Sequence, residues 1–296
     1  MNLAPIAISV YTRVNHFKQC IEALQKNTLA EESELYIYSD AASRDDDEKL
    51  VQEVRDYSHN IKGFKKVRVI ERKKNYGGTQ NAPKAHREIT KKYGKSIFLE
   101  DDIVTAPGFL QFVNDALELY KDDEKILAVG GHTPNILENL YSNKDIYFTK
   151  RFSGWGLGTW EEKFNKIKPV SMYDISRNNS LKDKLDECGT DLYGMALLDA
   201  KGKINAGDVR ACCLMAQENL YIVLPTKTLV KNIGLDGSGV HCGNENKYIN
   251  DELSKKERFN FEGYYCNEKI NQELKRFYDK PILIKRIINR IIKIIK

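Results

Sequence analysis

A short apolar run, Ser96-Ile97-Phe98-Leu99, ends abruptly in three consecutive carboxylates, Glu100-Asp101-Asp102. The β-branched and aromatic residues that follow the Gly94-Lys95 breaker predict a buried strand, whose interior cannot hold unpaired acids. The acids therefore belong at its carboxyl end, where open α/β sheets gather ligands in the crevice between departing loops. Adjacent carboxylates repel one another unless a cation or hydrogen-bond donors compensate, and hard oxygen ligands suit Mg²⁺ or Mn²⁺ bridging to phosphates. A solvated acidic turn, as at Asp45-Asp46-Asp47 or Asp122-Asp123, is the competing reading. The buried strand in front favours the metal site.

Around this strand the chain alternates. Strands are predicted at residues 6–10, 34–39, 67–70 and 97–99, with helices at 15–26, 45–57 and 84–92 between them. That alternation implies a mostly parallel sheet with right-handed crossovers. Polar residues follow each strand: Tyr11-Thr12-Arg13, then Asp40, then Asn75-Tyr76-Gly77. Arg13 suits a phosphate, while Asp40 suits either a nucleoside or a helix-capping Asx turn. Neither G-x-G-x-x-G nor a P-loop is present.

Further along, a helix is predicted over 107–120, strands over 126–129 and 221–224, and helices over 179–200 and 209–218. Both tryptophans, Trp155 and Trp160, lie in the glycine-rich stretch Phe152–Trp160. Glycines discourage regular structure, and indoles offer flat faces to a sugar ring or, equally, to the core under a loop. Asp208 opens the helix 209–218 as a cap or a catalytic carboxylate. A second glycine-rich loop carries His241, suited to a metal or phosphate or to a purely structural place.

Charge excludes one class. The last sixteen residues, 281–296, hold five Lys and Arg and no acid, which accounts for the whole net charge of +5. The balanced remainder argues against nucleic-acid binding. Six scattered cysteines without C-x-x-C spacing, and the lack of a charged, apolar leader, point to a reducing cytoplasm. At about 100° per residue the tail's charges fall on one face and nearly all its isoleucines on the other. With a length of only ~24 Å it is too short to span a bilayer and is expected to lie on an anionic membrane surface.

Taken together, these pieces resemble the GT-A nucleotide-sugar glycosyltransferases, in particular the family-2-like bacterial sugar transferases and the N-acetylglucosaminyltransferase I group. The resemblance rests on Ser9–Arg13, Ser39-Asp40-Ala41, Asn75-Tyr76-Gly77, Phe98–Asp102, Ala106–Phe109, Gly154–Trp160, Asn232-Ile233-Gly234 and Asp236–Gly243. It implies a Rossmann-like, mostly parallel sheet flanked by helices and a Mn²⁺ or Mg²⁺ cofactor. Asp40 is implied to contact the base, Asp101 the ribose, Glu100 the donor sugar, Asp102 the metal, and His241 the diphosphate or metal. Tyr11, Thr12, Arg13, Asn75, Gly77, Trp155 and Trp160 complete the expected binding set. Where the family commonly reads Asp/Asn-Ser-Trp-x-x-Arg-Trp, this chain reads Asn205-Ala206-Gly207-Asp208-Val209-Arg210-Ala211. Asp208 is therefore the first expected base, with Glu161 and Glu162 behind it.

The expectation is an inverting transferase of cell-surface glycan synthesis, acting from a nucleoside-diphosphate sugar, a UDP-sugar first, onto a glycan or lipid-linked acceptor. Residues 1–250 would form the catalytic domain, its nucleotide half about 1–130 and its acceptor half about 131–250. Residues 251–280 would form a helical or linker extension, and 281–296 a helix attaching the protein peripherally to the inner membrane face. A sugar-nucleotide nucleotidyltransferase and a non-catalytic membrane-associated glycan-binding protein are the alternatives.

Overall fold

The computed structural model describes residues 2–136, 144–177, 179–237, 248, 252–262, 264–265 and 268–279. The first half alternates as predicted: β1 (Ile6–Val10), α1 (Val14–Gln25), β2 (Glu34–Ser39), α2 (Asp45–His59), β3 (Lys66–Glu71), α3 (Gly78–Tyr93) and β4 (Lys95–Glu100). Next come β5 (Ile103–Thr105), α4 (Phe109–Leu119), β6 (Ile126–Gly130), β7 (Ile146–Thr149), β8 (Leu157–Trp160), α5 (Glu161–Phe164), α6 (Met172–Arg177) and α7 (Asn179–Asp186). The remainder is α8 (Asp191–Ala200), α9 (Gly207–Glu218), β9 (Tyr221–Pro225), β10 (Val230–Asn232), β11 (Tyr264–Tyr265) and α10 (Glu268–Tyr278).

Nine strands form one sheet in the order β11-β7-β9-β6-β8-β4-β1-β2-β3, and β5 pairs with β10 beside it. The strands β1, β2, β3 and β4 are mutually parallel, as are β6 and β9, whereas β8 runs antiparallel between β4 and β6. Period-two alternation splits each strand between two cores. On one face Ile6, Ile8 and Val10 meet Phe17 and Ile21 of α1 and Phe109 and Phe112 of α4. On the other, Ala7 shares a core with Ala85 and Ile89 of α3 and with residues of α7, α8 and α9.

The structure departs from the sequence-based expectation in two places. Gly158 lies in a strand rather than a loop, because β8 runs so close to α4 that a β-carbon there would fall 2.4 Å from Val113 Cγ1. The single helix expected over 179–200 is broken at Gly189, whose φ of +138° disfavours other residues. The described part of the segment after residue 251 packs onto the sheet and its core and ends in a helix. Phe259 meets Phe112 edge-to-face and Phe261 stacks on it, β11 joins the sheet beside β7, and α10 buries Ile270 and Leu274. The basic tail 281–296 and His241 lie outside the described residues.

Candidate active site at the carboxyl edge of the sheet

Strand β4 delivers Glu100 to the carboxyl edge, and the turn after it buries Asp101 and Asp102. Arg13, just past β1, reaches across from the parallel neighbour. Its Nη2 donates to both Asp101 Oδ1 and Asp102 Oδ2, the latter at 2.8 Å. Burial disfavours the charged guanidinium, but the two carboxylates more than offset this. The ion pair is incompletely satisfied, since Arg13 Nη1 and Asp102 Oδ1 are buried without hydrogen-bond partners. The stretch after β10 seals this pair: the Ile233 N–H donates to the Asp102 carbonyl at 2.9 Å. A β-carbon on Gly234 would fall 2.1 Å from Asp102 Oδ2, so only glycine fits. Asn232-Ile233-Gly234 stood out in the sequence, but its role as a cover for the acids did not.

Asp208 arrives from 106 residues further on, in the first turn of α9, and accepts the Gly154 N–H at 3.0 Å. It is not the cap, which is Ala206. Glu100 and Asp208 keep solvent-accessible surface, while protein encloses them on their remaining sides. That enclosure pushes Glu100 up to about 8, reinforced by Asp102, Asp208 and Asp101 and relieved by Arg13. Burial also raises Asp101, to about 6, against Arg13. It raises Asp208 as well, against the Gly154 N–H and Arg151. Arg151 was not anticipated. It is held bidentately by Asp191 and lies 3.7 Å from the Tyr278 ring centroid.

Asp40 is buried and holds backbone on both sides of it. Its carboxylate accepts N–H groups from Ala41, Tyr76 and Gly77 at 2.8–3.1 Å, pinning the loop after β3. Asn75 donates to the Ala41 carbonyl at 2.6 Å. Gly77, at φ +72°, is the residue before α3. The Tyr11 hydroxyl donates to Asp47 at 2.8 Å, and the Thr12 carbonyl accepts the Val14 N–H. These residues therefore share one edge with Arg13 and the acids.

The two tryptophans separate. Trp155 stays at this edge, in edge-to-face contact with His132 at 4.6 Å and Tyr248 at 5.1 Å. Trp160 pairs in register with Lys95, at the far end of β4, and the Glu161 N–H donates to the Gly94 carbonyl. With a strand rise of about 3.3 Å per residue, β8 carries Trp160, Glu161 and Glu162 across the sheet and away from the acids. The assignments of Glu161 and Glu162 as reserve bases and of Trp160 as a sugar platform are thereby overturned.

Among the described residues no three metal-ligating side chains form a cluster. The available donor is the unpartnered Asp102 Oδ1, which fits a hard cation held by one carboxylate with phosphate and water oxygens completing its shell.

A sequence model of the family described as "Glycosyl transferase family 2" matches residues 6–188. Among solved structures the chain is similar to S. aureus TarS 1-349 in complex with UDP-GlcNAc, at 12% identity, 86% of this chain, 68% of that chain and a TM-score of 0.43. It is also similar to the mannosyltransferase PcManGT from Pyrobaculum calidifontis in complex with GDP-Man and Mn²⁺, at 14% identity, 55% and 45% coverage and a TM-score of 0.36. The chain spans 21% of the longer S. aureus TarS chain and 45% of the glycosyltransferase GlyE from Streptococcus pneumoniae TIGR4. No curated protein matches the sequence.

Proposed function

The chain belongs to glycosyl transferase family 2 and is a glycosyltransferase, and from that premise we propose a metal-dependent, inverting transfer from a nucleoside-diphosphate sugar, a UDP-sugar first, onto a glycan or lipid-linked acceptor. The observation that carries this reading is the convergence of Glu100, Asp101, Asp102 and Asp208 at the carboxyl edge of a parallel sheet. Asp102 would hold Mn²⁺ or Mg²⁺, whose chemistry there is to neutralise the leaving diphosphate. Arg13 adds a positive charge beside it. Glu100, beside Asp102 at the end of β4, hydrogen-bonds a donor-sugar hydroxyl. Asp208, its pKa raised by burial, removes the proton of the attacking acceptor hydroxyl. One base of this kind serves a single displacement with inversion.

The basic tail supports peripheral attachment to an anionic membrane, on the cytoplasmic side. No helix among the described residues is long and apolar enough to cross a membrane. The test is to supply the full chain and Mn²⁺ with a panel of UDP- and GDP-sugars. Release of the nucleoside diphosphate is expected with at least one of them and is abolished in Asp102→Ala. Absence of both binding and turnover across the panel refutes the reading.

A further inference from the structure

We propose that the last turn of α10 belongs to the acceptor side of the active site: Tyr278 and Arg151 are positioning residues that clamp the stretch 151–155 and so hold the Gly154 N–H against Asp208. The inference rests on the reading of Asp208 as the base and adds to it the segment that sets the base's place.

One side chain of α10 reaches both ends of this stretch. At its start, Arg151 lies 3.7 Å from the Tyr278 ring centroid, and both prongs of its fork are taken by Asp191 at 2.8 Å. At its end, Trp155 meets Tyr248 edge-to-face at 5.1 Å, and Tyr248 in turn hydrogen-bonds Tyr278 and packs on Phe277 at 5.5 Å. Between these ends the chain touches α9 twice, one helical turn apart. The Phe152 N–H donates to Cys212 Sγ at 3.3 Å and the Gly154 N–H to Asp208 at 3.0 Å. A shift at either end therefore moves the donor that steadies Asp208. The charge of Arg151 also favours the Asp208 carboxylate.

The contact of the helix end is directional. Earlier in α10, Ile270 and Leu274 dock by apolar packing alone. In the last turn a ring face meets a cation, a pairing that holds only within about 6 Å of the centroid and so registers the helix on the first residue of the stretch. Just beyond it, Asp279 accepts the Thr190 hydroxyl at 2.8 Å and its N–H at 3.3 Å. Gly189 leaves the space for this meeting: a β-carbon there would fall 2.6 Å from Asp191 Oδ1, 2.8 Å from Arg151 Nη1 and 2.9 Å from Tyr278 Cβ.

Turnover of the full chain is followed as nucleoside diphosphate release from UDP- and GDP-sugars with Mn²⁺ and water as acceptor, and nucleotide affinity by calorimetric titration of UDP or GDP. Tyr278→Leu, which keeps apolar bulk but loses the ring face and the hydroxyl, is expected to lower kcat about tenfold, while the donor's KM and the nucleotide's Kd stay within about twofold. Tyr278→Phe, which keeps the face, restores most of the rate. Arg151→Met loses as much as Tyr278→Leu, and Arg151→Lys, a point charge without the fork, lies between. If Arg151→Met does not fold, the two Tyr278 variants carry the test. Tyr278→Leu combined with Asp208→Asn is expected to cost little beyond Asp208→Asn alone, since both act through one group. An unchanged kcat in the folded variants, a joint worsening of kcat, KM and Kd, or additive losses in the double variant overturns the inference and leaves the base reading standing. An Asp208→Asn protein that keeps full turnover removes the base reading itself.

Discussion

The two sides of the sheet hold their functional groups in different ways. On the side of β1 to β4, loop residues fasten one another several times over. Asp40 takes three N–H groups, Asn75 bonds the Ala41 carbonyl, and Asn81 bonds both Ser9 and the Tyr38 carbonyl. Arg55 bridges β2 and β3 through Ser39 and the Arg72 carbonyl. On the other side Asp208 is steadied by a single N–H from Gly154 and by the packing of α9. Redundant local bonding suits a nucleotide of fixed shape. The proposed base, hung on one N–H, leaves the proposed acceptor side tunable through the Gly154 loop.

This contrast predicts that damage on the β1 to β4 side appears as lost stability, and damage near Asp208 as lost rate. The largest effect is expected for Asp208→Asn, with kcat down about 10²- to 10⁴-fold and the thermal midpoint nearly unchanged. Since burial raises the pKa of Asp208 and its charged form is the proposed base, wild-type kcat/KM is expected to fall with acidification at a higher pH than an ordinary aspartate would give. That limb disappears in the variant. Asp40→Ala comes next. It strands three N–H donors and is expected to cost roughly 3 kcal/mol in urea denaturation. Nearly unaltered stability there breaks the contrast. Gly154→Ala sharpens it, because a β-carbon would lie 2.9 Å from Asp208 Oδ1. About a tenfold loss in kcat with little loss of stability is expected, from displacement of a positioned group. Glu161→Gln and Glu162→Gln should change kcat least, by less than about twofold, as substitutions at the opposite end of β4 from the acids.

The β1 to β4 side was legible because each strand there is a continuous apolar run followed by polar residues, and neighbours in sequence are neighbours in the sheet. Even there α3 begins at Gly78, ahead of the expected Lys84: Pro83 lies in its second turn, and the Thr79 carbonyl that it cannot serve accepts from Asn205 Nδ2 at 3.2 Å. The other side hid its strands. Leu157–Trp160 looked like a loop because Gly158 marks close approach to Val113 rather than a turn. The β5–β10 pair is only three residues long on each strand, too short for a periodic signal. Spacing in the chain also misled about the tryptophans, which lie close in sequence but point to opposite ends of a crossing strand. The meeting of Asp208 with Glu100 depends on long-range packing that no local pattern encodes.

The insertion of β8 between β4 and β6 sets the timetable on which this protein can mature. At ribosomal speeds of roughly 5–20 residues per second, a nascent chain that has completed β4 waits about 3 to 12 seconds before the strand that covers its edge is made. The strand at the far border, β11, comes more than a hundred residues later still. During that interval an unpaired, strongly apolar ribbon is presented to the cell, so production of this enzyme should depend on holdase chaperones more than its finished, fully paired core suggests.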